Sequence, residues 1–332
     1  MTDRTTAGRA ITVARLSDLP LPHFDPNRSA WPSQVVQVDG RGILLRPTPP
    51  TAAGAEPALY VHGLGGSSTN WTDLAALLAD RVDGEALDLP GFGGSDPAPG
   101  GDYALSRHAA TVSRLIESRD RGPVHLLGNS LGGAVAVLVA ADRPDLVRTL
   151  TLVSPAMPDL RPRRGPTLLL GSFVVPGVRR LAEWRIAGVG PEERVRTVID
   201  VCFADPSIVP PARLAETVEE VRSRNELPWR MDAFAGTLRG LIYRYLARGD
   251  RSLWAQAARI RVPTLVVWGA EDRLVDPALA ERTAREIGDA RLLVLPGVGH
   301  TAQLEAPETV ARAVRGLLED RAGGAVGGLR RA

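Results

Sequence analysis

The sequence contains a single cysteine, Cys202. No disulfide can form within the chain, and no cysteine-based metal site is available. That residue reads as a small hydrophobic filler of the interior. Lysine is absent, so arginine carries the positive charge. The formal net charge is only +2, despite a pI near 9.1. Arginines are mixed with acidic residues along the helical stretches, which leaves no basic footprint for nucleic acid. The excess comes from arginine-rich ends and a short patch at Arg161, Arg163 and Arg164. Long apolar runs are also missing. The longest, Leu168 to Val178, is eleven residues broken by Gly171, Pro176 and Gly177, too short to cross a bilayer. The first thirty residues carry charges and prolines where a secretory leader would have an apolar core. These absences lead to the expectation of a soluble, cytoplasmic protein.

What is present is ordinary globular material, with 44% apolar and 23% charged residues in 332 positions, enough for a sizeable core. Residues 1–33 lack a period and carry Pro20, Pro22, Pro26 and Pro32, so an irregular arm is expected there. From 321 to 332 the Gly/Ala-rich end reads as a flexible tail. Between them, short β-branched runs alternate with helical ones. Gln34–Val38 and Gly42–Arg46 flank Asp39-Gly40, a hairpin dipeptide. Buried-type strands are expected at Ala58–Val61, Gly84–Asp88, Val124–Leu127, Thr149–Val153, Thr264–Trp268 and Leu292–Leu295. Helical periods fall at Trp71–Ala79, Ser106–Ser118, Leu131–Ala141, Pro277–Ile287 and Pro307–Leu318. The alternation predicts an α/β fold with a mostly parallel, eight-stranded sheet covered by helices on both faces. One interval departs from it. Residues 156–261 show helical periods and prolines without a strong strand, and they read as a helical cap inserted between the core segments 34–155 and 262–320. Ligand sites in such sheets lie at the carboxyl ends of the strands, where this insertion would sit.

Four short segments carry chemistry. The strand ending at Leu127 runs into Gly128-Asn129-Ser130-Leu131-Gly132-Gly133 and then a helix, which is Gly-x-Ser-x-Gly in the context that gives it meaning. A turn that sharp strains the serine backbone, and Gly128 and Gly132 leave room for it. The second segment, His62-Gly63-Leu64-Gly65-Gly66, follows the strand Ala58–Val61. Its glycines free a backbone N–H to face the site, so the N–H groups of Leu64 and Leu131 are the candidate oxyanion donors. A phosphate loop is excluded, since no lysine follows and the glycine spacing differs from Gly-x-Gly-x-x-Gly. His62 reads as a brace for this loop. Trp268-Gly269-Ala270-Glu271-Asp272 ends another strand, where a carboxylate can orient a histidine; Asp272 is favoured, with Glu271 and Asp276 competing. Last comes Gly297-Val298-Gly299-His300, a flexible loop after Leu292–Leu295. Of five histidines only His300 follows a strand end after the acid; His23 lies in the arm, His108 in a helix and His125 within a strand. The order Ser130, Asp272, His300 is that of a nucleophile, acid and base.

With those segments in place, the chain resembles the α/β-hydrolase superfamily from about residue 34 to 320, with 156–261 matching loosely. Asp88-Leu89-Pro90-Gly91-Phe92-Gly93-Gly94-Ser95 is similar to the loop that shapes the site wall in that family. Gly299-His300-Thr301-Ala302-Gln303-Leu304-Glu305 resembles the end of capped esterases and of meta-cleavage-product hydrolases, which cut carbon–carbon bonds. The latter also carry Gly-Asn-Ser-x-Gly-Gly, although they commonly have tryptophan where this chain has Thr301. The resemblance implies a serine ester hydrolase, or alternatively a carbon–carbon hydrolase with a cap cation such as Arg185, Arg230 or Arg239. Lactonase, amidase, perhydrolase and non-catalytic ligand-binding roles are lesser alternatives. Serine at the elbow argues against haloalkane dehalogenases and epoxide hydrolases, which use aspartate there. A small-molecule substrate is expected, with no metal and no organic cofactor. Leu168, Leu169, Leu170, Phe173, Trp184, Phe203, Trp229 and Phe234 are candidate linings of an apolar pocket.

Overall fold

The computed structural model describes residues 10–159 and 188–328. Strands β1 (Thr12–Val13), β2 (Gln34–Val38), β3 (Arg41–Thr48), β4 (Glu56–Val61), β5 (Val82–Leu87), β6 (Val124–Asn129), β7 (Val147–Val153), β8 (Thr264–Gly269) and β9 (Ala290–Leu295) form one sheet. Their order is β1-β9-β8-β7-β6-β4-β5-β3-β2, so six strands from β4 to β9 run parallel and the β2–β3 hairpin pairs antiparallel at one edge. That hairpin closes through Asp39 (φ 51°) and Gly40 (φ 72°), the pair of positive φ values that a two-residue turn of this twist needs.

The helices are α1 (Thr72–Leu78), α2 (Leu105–Arg119), α3 (Leu131–Asp142), α4 (Pro191–Cys202), α5 (Pro211–Asn225), α6 (Arg230–Leu246), α7 (Leu253–Arg259), α8 (Leu279–Glu286), α9 (Ala302–Glu305) and α10 (Pro307–Gly328). Helix α3 is apolar on every side and almost wholly buried, as expected of a helix sandwiched between sheet and flanking helices. It joins α2, α7 and α8 in the core on one face of the sheet. On the other face, α1 and α10 pack over Tyr60, Leu127, Val153 and Val267. The β6–α3 junction is therefore held in a dry, close-packed layer, which is what fixes a site built there.

Three expectations change. The sheet has nine strands, because Thr12–Val13 in the arm pairs in parallel with Arg291–Leu292. The arm continues along α10, where the Ser17 hydroxyl donates to Glu319 at 2.6 Å and buried Arg315 donates to the Pro20 carbonyl at 3.0 Å. A two-residue strand has no period to read, and these contacts span about three hundred positions. Second, α10 extends through Gly328, into the segment expected as tail. Third, α7 falls inside the interval 156–261 yet contributes Leu253 and Ala257 to the main core. Helix α6 also places Leu241 in that core, whereas α4 and α5 contribute no residue to it. Leu168, Leu169, Leu170, Phe173, Trp184 and Arg185, with the Arg161–Arg164 patch, lie outside the described residues.

Candidate active site

The chemistry-bearing segments end parallel strands of the one sheet: His62–Gly66 follows β4, Ser130 follows β6, Asp272 follows β8 and His300 follows β9, with β7 between the serine and acid strands. Ser130 has φ 53° and ψ −116°, a conformation rare for a residue with a Cβ. The glycines explain how the chain reaches it. A Cβ on Gly128 would lie 2.4 Å from the Gly132 carbonyl oxygen, and one on Gly132 would lie 2.2 Å from that of Val61. Backbones of β4, β6 and α3 cross there at a separation only glycine permits. Gly63 passes over the serine, since a Cβ on it would meet Ser130 Cβ at 3.2 Å. The adjacent Ser154, after β7, is also at positive φ (42°), so backbone strain gathers at these strand ends.

His300 and Asp272 meet directly: imidazole Nδ1 lies 2.8 Å from Asp272 Oδ2, and both residues are buried. A carboxylate only accepts, so Nδ1 carries the proton and Nε2 presents a lone pair. Asp272 is itself fixed through Oδ1, which accepts from the Leu274 and Val275 N–H groups at 2.8 and 2.9 Å. Of the competing acids, Glu271 is exposed and Asp276 accepts from the Ala278 N–H; Asp272 is the one that meets the imidazole.

The loop around His300 is held through its peptide groups on both sides of the histidine. Its N–H donates to the Cys202 carbonyl at 2.6 Å, and its carbonyl accepts from Asn129 Nδ2 at 3.3 Å. Asn129 also donates to the Val153 carbonyl, which in turn accepts the Ser130 N–H at 3.0 Å. Asn129 thus ties the serine turn to the histidine loop. Glu305 accepts the N–H of Gly299 at 2.8 Å and of Thr301 at 3.2 Å, on both sides of the histidine, and of Ala204 at 2.8 Å. Neither residue was assigned a role by sequence reasoning. Both belong to the motifs read above, one beside the serine and the other five positions after the histidine.

The two candidate donors lie in the turns that follow β4 and β6. Leu131 opens α3, so its N–H has no intrahelical acceptor and lies at the positive end of the helix dipole. Leu64 sits in a turn closed by the Gly66 N–H on the Gly63 carbonyl at 3.1 Å, with Gly65 at φ 75°. A glycine at positive φ in the third position is the signature of a type II turn. His62 Nε2 accepts from the Leu89 N–H at 3.0 Å, so its Nδ1 carries the hydrogen bonded to the Gly63 carbonyl at 2.7 Å. It braces this loop, and burial lowers its pKa. Asp88 accepts from the Ser68 and Gly94 N–H groups at 2.6 and 2.8 Å, which shapes the wall beside it.

The other titratable groups have structural partners. His108 bonds Thr237 of α6 at 3.0 Å, and burial pushes its pKa down to about 3. His125 lies between Thr149 and Glu56, buried and likewise lowered; His23 is exposed. Burial, with Asp272 and Glu305 nearby, pushes the Cys202 thiol up to about 12, so it is no nucleophile at neutral pH. Among the other cap candidates, Phe203 is buried, Phe234 faces Gly65, Arg230 bonds the Asn225 side chain and Arg239 is exposed. Among the described residues no cluster of His, Cys, Asp and Glu could hold a metal ion, and no helix is long and apolar enough to cross a membrane.

A family model described as the alpha/beta hydrolase family matches residues 58–313, and the chain belongs to that family. It is 32% identical over 279 residues to the dihydrolipoyllysine-residue acetyltransferase component of an acetoin cleaving system from Pseudomonas putida. That match covers 83% of this chain and 66% of the relative, so the chain spans just under two thirds of the relative's length. A 2-hydroxy-6-oxononadienedioate/2-hydroxy-6-oxononatrienedioate hydrolase from Cupriavidus pinatubonensis is 27% identical over 275 residues, covering 80% of this chain and 87% of that one. Among solved structures, a membrane phospholipase A described as a bacterial virulence factor matches with a TM-score of 0.68 at 26% identity. It covers 88% of this chain and 87% of that one.

Proposed function

We propose that this chain is a serine hydrolase of carboxylic esters, with Ser130 as nucleophile, His300 as general base and Asp272 as its orienting acid. The observation that carries the reading is the buried His300–Asp272 pair, at 2.8 Å, tied through Asn129 to the turn that holds Ser130 at φ 53°. The Ser130 hydroxyl proton passes to His300 Nε2 as Oγ bonds to the ester carbonyl carbon. The resulting oxyanion accepts from the Leu64 and Leu131 N–H groups. His300 returns the proton to the alcohol oxygen as the carbon–oxygen bond breaks and leaves an acyl-serine. Water then adds to that acyl carbon, losing its proton to His300, and the acid departs as Ser130 is restored. Base assistance is worth about 10² to 10⁴ in rate, and each oxyanion donor about 2.7–4 kcal/mol.

Helices α4, α5 and α6 act as a cap over these strand ends and set the substrate's size, with Phe203 and Phe234 as apolar contacts. The likeness to a phospholipase A supports the ester reading. A second reading, carbon–carbon bond hydrolysis on the same serine, is favoured by the likeness to the oxononadienedioate hydrolase. The test is hydrolysis of p-nitrophenyl esters of increasing acyl length by wild type and Ser130→Ala. Turnover confined to wild type is the expected result. A folded wild type inactive on every ester, but active on a dienoate-type diketone acid, would replace the first reading with the second.

A further inference from the structure

The Leu64 N–H belongs to the Gly63–Leu64 peptide, and that peptide is aimed through a relay that starts in the cap. A trans peptide is planar, with its C=O and N–H pointing opposite ways, so fixing one end fixes the other. On α5, Arg224 Nη1 donates to the Gly65 carbonyl at 2.6 Å. The N–H of that same Gly65–Gly66 peptide donates to the Gly63 carbonyl at 3.1 Å. The Gly63 carbonyl, which also accepts from His62 Nδ1 at 2.7 Å, in turn shares its peptide with the Leu64 N–H. Two peptide units thus connect the guanidinium to the candidate oxyanion donor.

Arg224 is itself held in place. Its other Nη pairs with Glu220 one turn earlier on α5, and both side chains are mostly buried, at 16% and 19% exposure. Glu220 accepts from the Thr69 hydroxyl at 2.9 Å, on the same segment as the turn. Helix α6 grips the turn from the other side, since Leu64 packs with Ala235 and Leu238. The Phe234 ring lies 3.5 Å from where a Gly65 Cβ would stand. A glycine-rich turn has little intrinsic stiffness, whereas a cationic donor on a carbonyl makes one of the stronger hydrogen bonds available.

We propose that Arg224 is a positioning residue: it sets the direction of the Leu64 N–H through the Gly65–Gly66 peptide, so that helix α5 completes the oxyanion site as well as covering it. This rests on the serine-hydrolase reading. The test compares wild type, Arg224→Gln, Arg224→Lys and Glu220→Gln with Arg222→Ala, an exposed neighbour on the same helix. Measurements are kcat and KM on the best p-nitrophenyl ester, and the affinity for phenylboronic acid, which forms a tetrahedral adduct on the serine.

Removing an oxyanion donor outright costs about 10²–10³ in kcat. Misdirecting it in Arg224→Gln should cost about 10- to 100-fold, with KM within about twofold and boronate affinity falling in step. Arg224→Lys keeps one charged donor and should recover part of the loss. Glu220→Gln, which leaves Arg224 present but unanchored, should lose about threefold or more, and it carries the test if Arg224→Gln does not fold. Arg222→Ala should match wild type. Unchanged kcat and boronate affinity in a folded Arg224→Gln, or in Glu220→Gln, would overturn the inference and leave the serine-hydrolase reading standing. A wild type with no Ser130-dependent turnover would overturn both.

Discussion

The two halves of the candidate site are held by different forces. Around Ser130 and His300, position comes mostly from main chain pressed on main chain, with Asn129 and Glu305 bonded to the loop peptides: β4 lies against α3 at Gly132, and the loop from Cys202 to Ala204 against Gly299, where a Cβ would lie 2.4 Å from the Cys202 carbonyl oxygen. Around the Leu64 turn, position comes from long charged side chains on α5, where Arg213 reaches Asp73 at 2.6 Å and Arg224 reaches Gly65. Main-chain contacts offer no titratable group and little for salt to screen. Arginine–carboxylate contacts offer both, and they can be released without unfolding the sheet. Ser130 and His300 should therefore be set once, at folding, whereas the Leu64 turn stays sensitive to whatever moves α5.

The comparison can be broken most forcefully at the chemistry. Ser130→Ala should lower kcat by about 10⁶, and Asp272→Asn by about 10⁴ while leaving the fold intact; kcat on the p-nitrophenyl ester, with a melting curve beside it, checks both. Next comes the main-chain crossing. Gly132→Ala places a methyl group 2.2 Å from the Val61 carbonyl oxygen and should destabilise by about 3 kcal/mol, read as a lower urea midpoint. An unchanged midpoint would mean that the crossing is looser than the backbone positions indicate.

Acidity should act on α6 and α5 in different ranges, through His108 beneath α6 and Glu220 on α5. His108 falls from its ordinary 6.5 to about 3 on folding, so below pH 6.5 the unfolded chain binds a proton that the folded chain refuses. Stability should then decline by at most about 1.4 kcal/mol per pH unit from this group, and His108→Gln should flatten a plot of melting temperature against pH between 6.5 and 4.5. On α5, burial alone would raise the Glu220 pKa, but Arg224 and the Ser67 and Thr69 hydroxyls outweigh it and hold it below 4.5. A carboxylate depressed in the folded state contributes its stabilisation above 4.5 and loses it as pH falls further. The stability gap between wild type and Glu220→Gln should therefore narrow below pH 4.5, which is the smallest of these effects and the one specific to the α5 contact.

Much of this was legible in the sequence. Ser130, Asp272 and His300, the candidate elbow, acid and base, each occupy a short segment in which glycine marks a close approach, and local pattern is enough to single those segments out. All eight expected strands appear within about two residues of their anticipated ends. What escaped was non-local. Asn129 and Glu305 sit inside recognised motifs, but their partners are Val153, Gly299 and Ala204, far off in the chain or set by a loop's fold. Glu220 and Arg224 have the four-residue spacing of an ordinary solvated helix face, and nothing in that spacing announces that Gly65 lies across from it. Thr12–Val13 is too short to have a period at all.

That short strand bears on the molecule's solubility. A parallel sheet must end somewhere, and an unsatisfied outer strand is a template for another chain. Here β9 would be that strand, with Val294 facing outward at 42% exposure. Thr12–Val13 and the Ala14 N–H occupy Arg291 and Leu292, and the chain then turns away along α10 under the grip of Arg312 and Arg315. The arm therefore works as a selvedge: it finishes the cloth of the sheet, and a protein trimmed past Ser17 should be lost first to self-association and only afterwards to loss of activity.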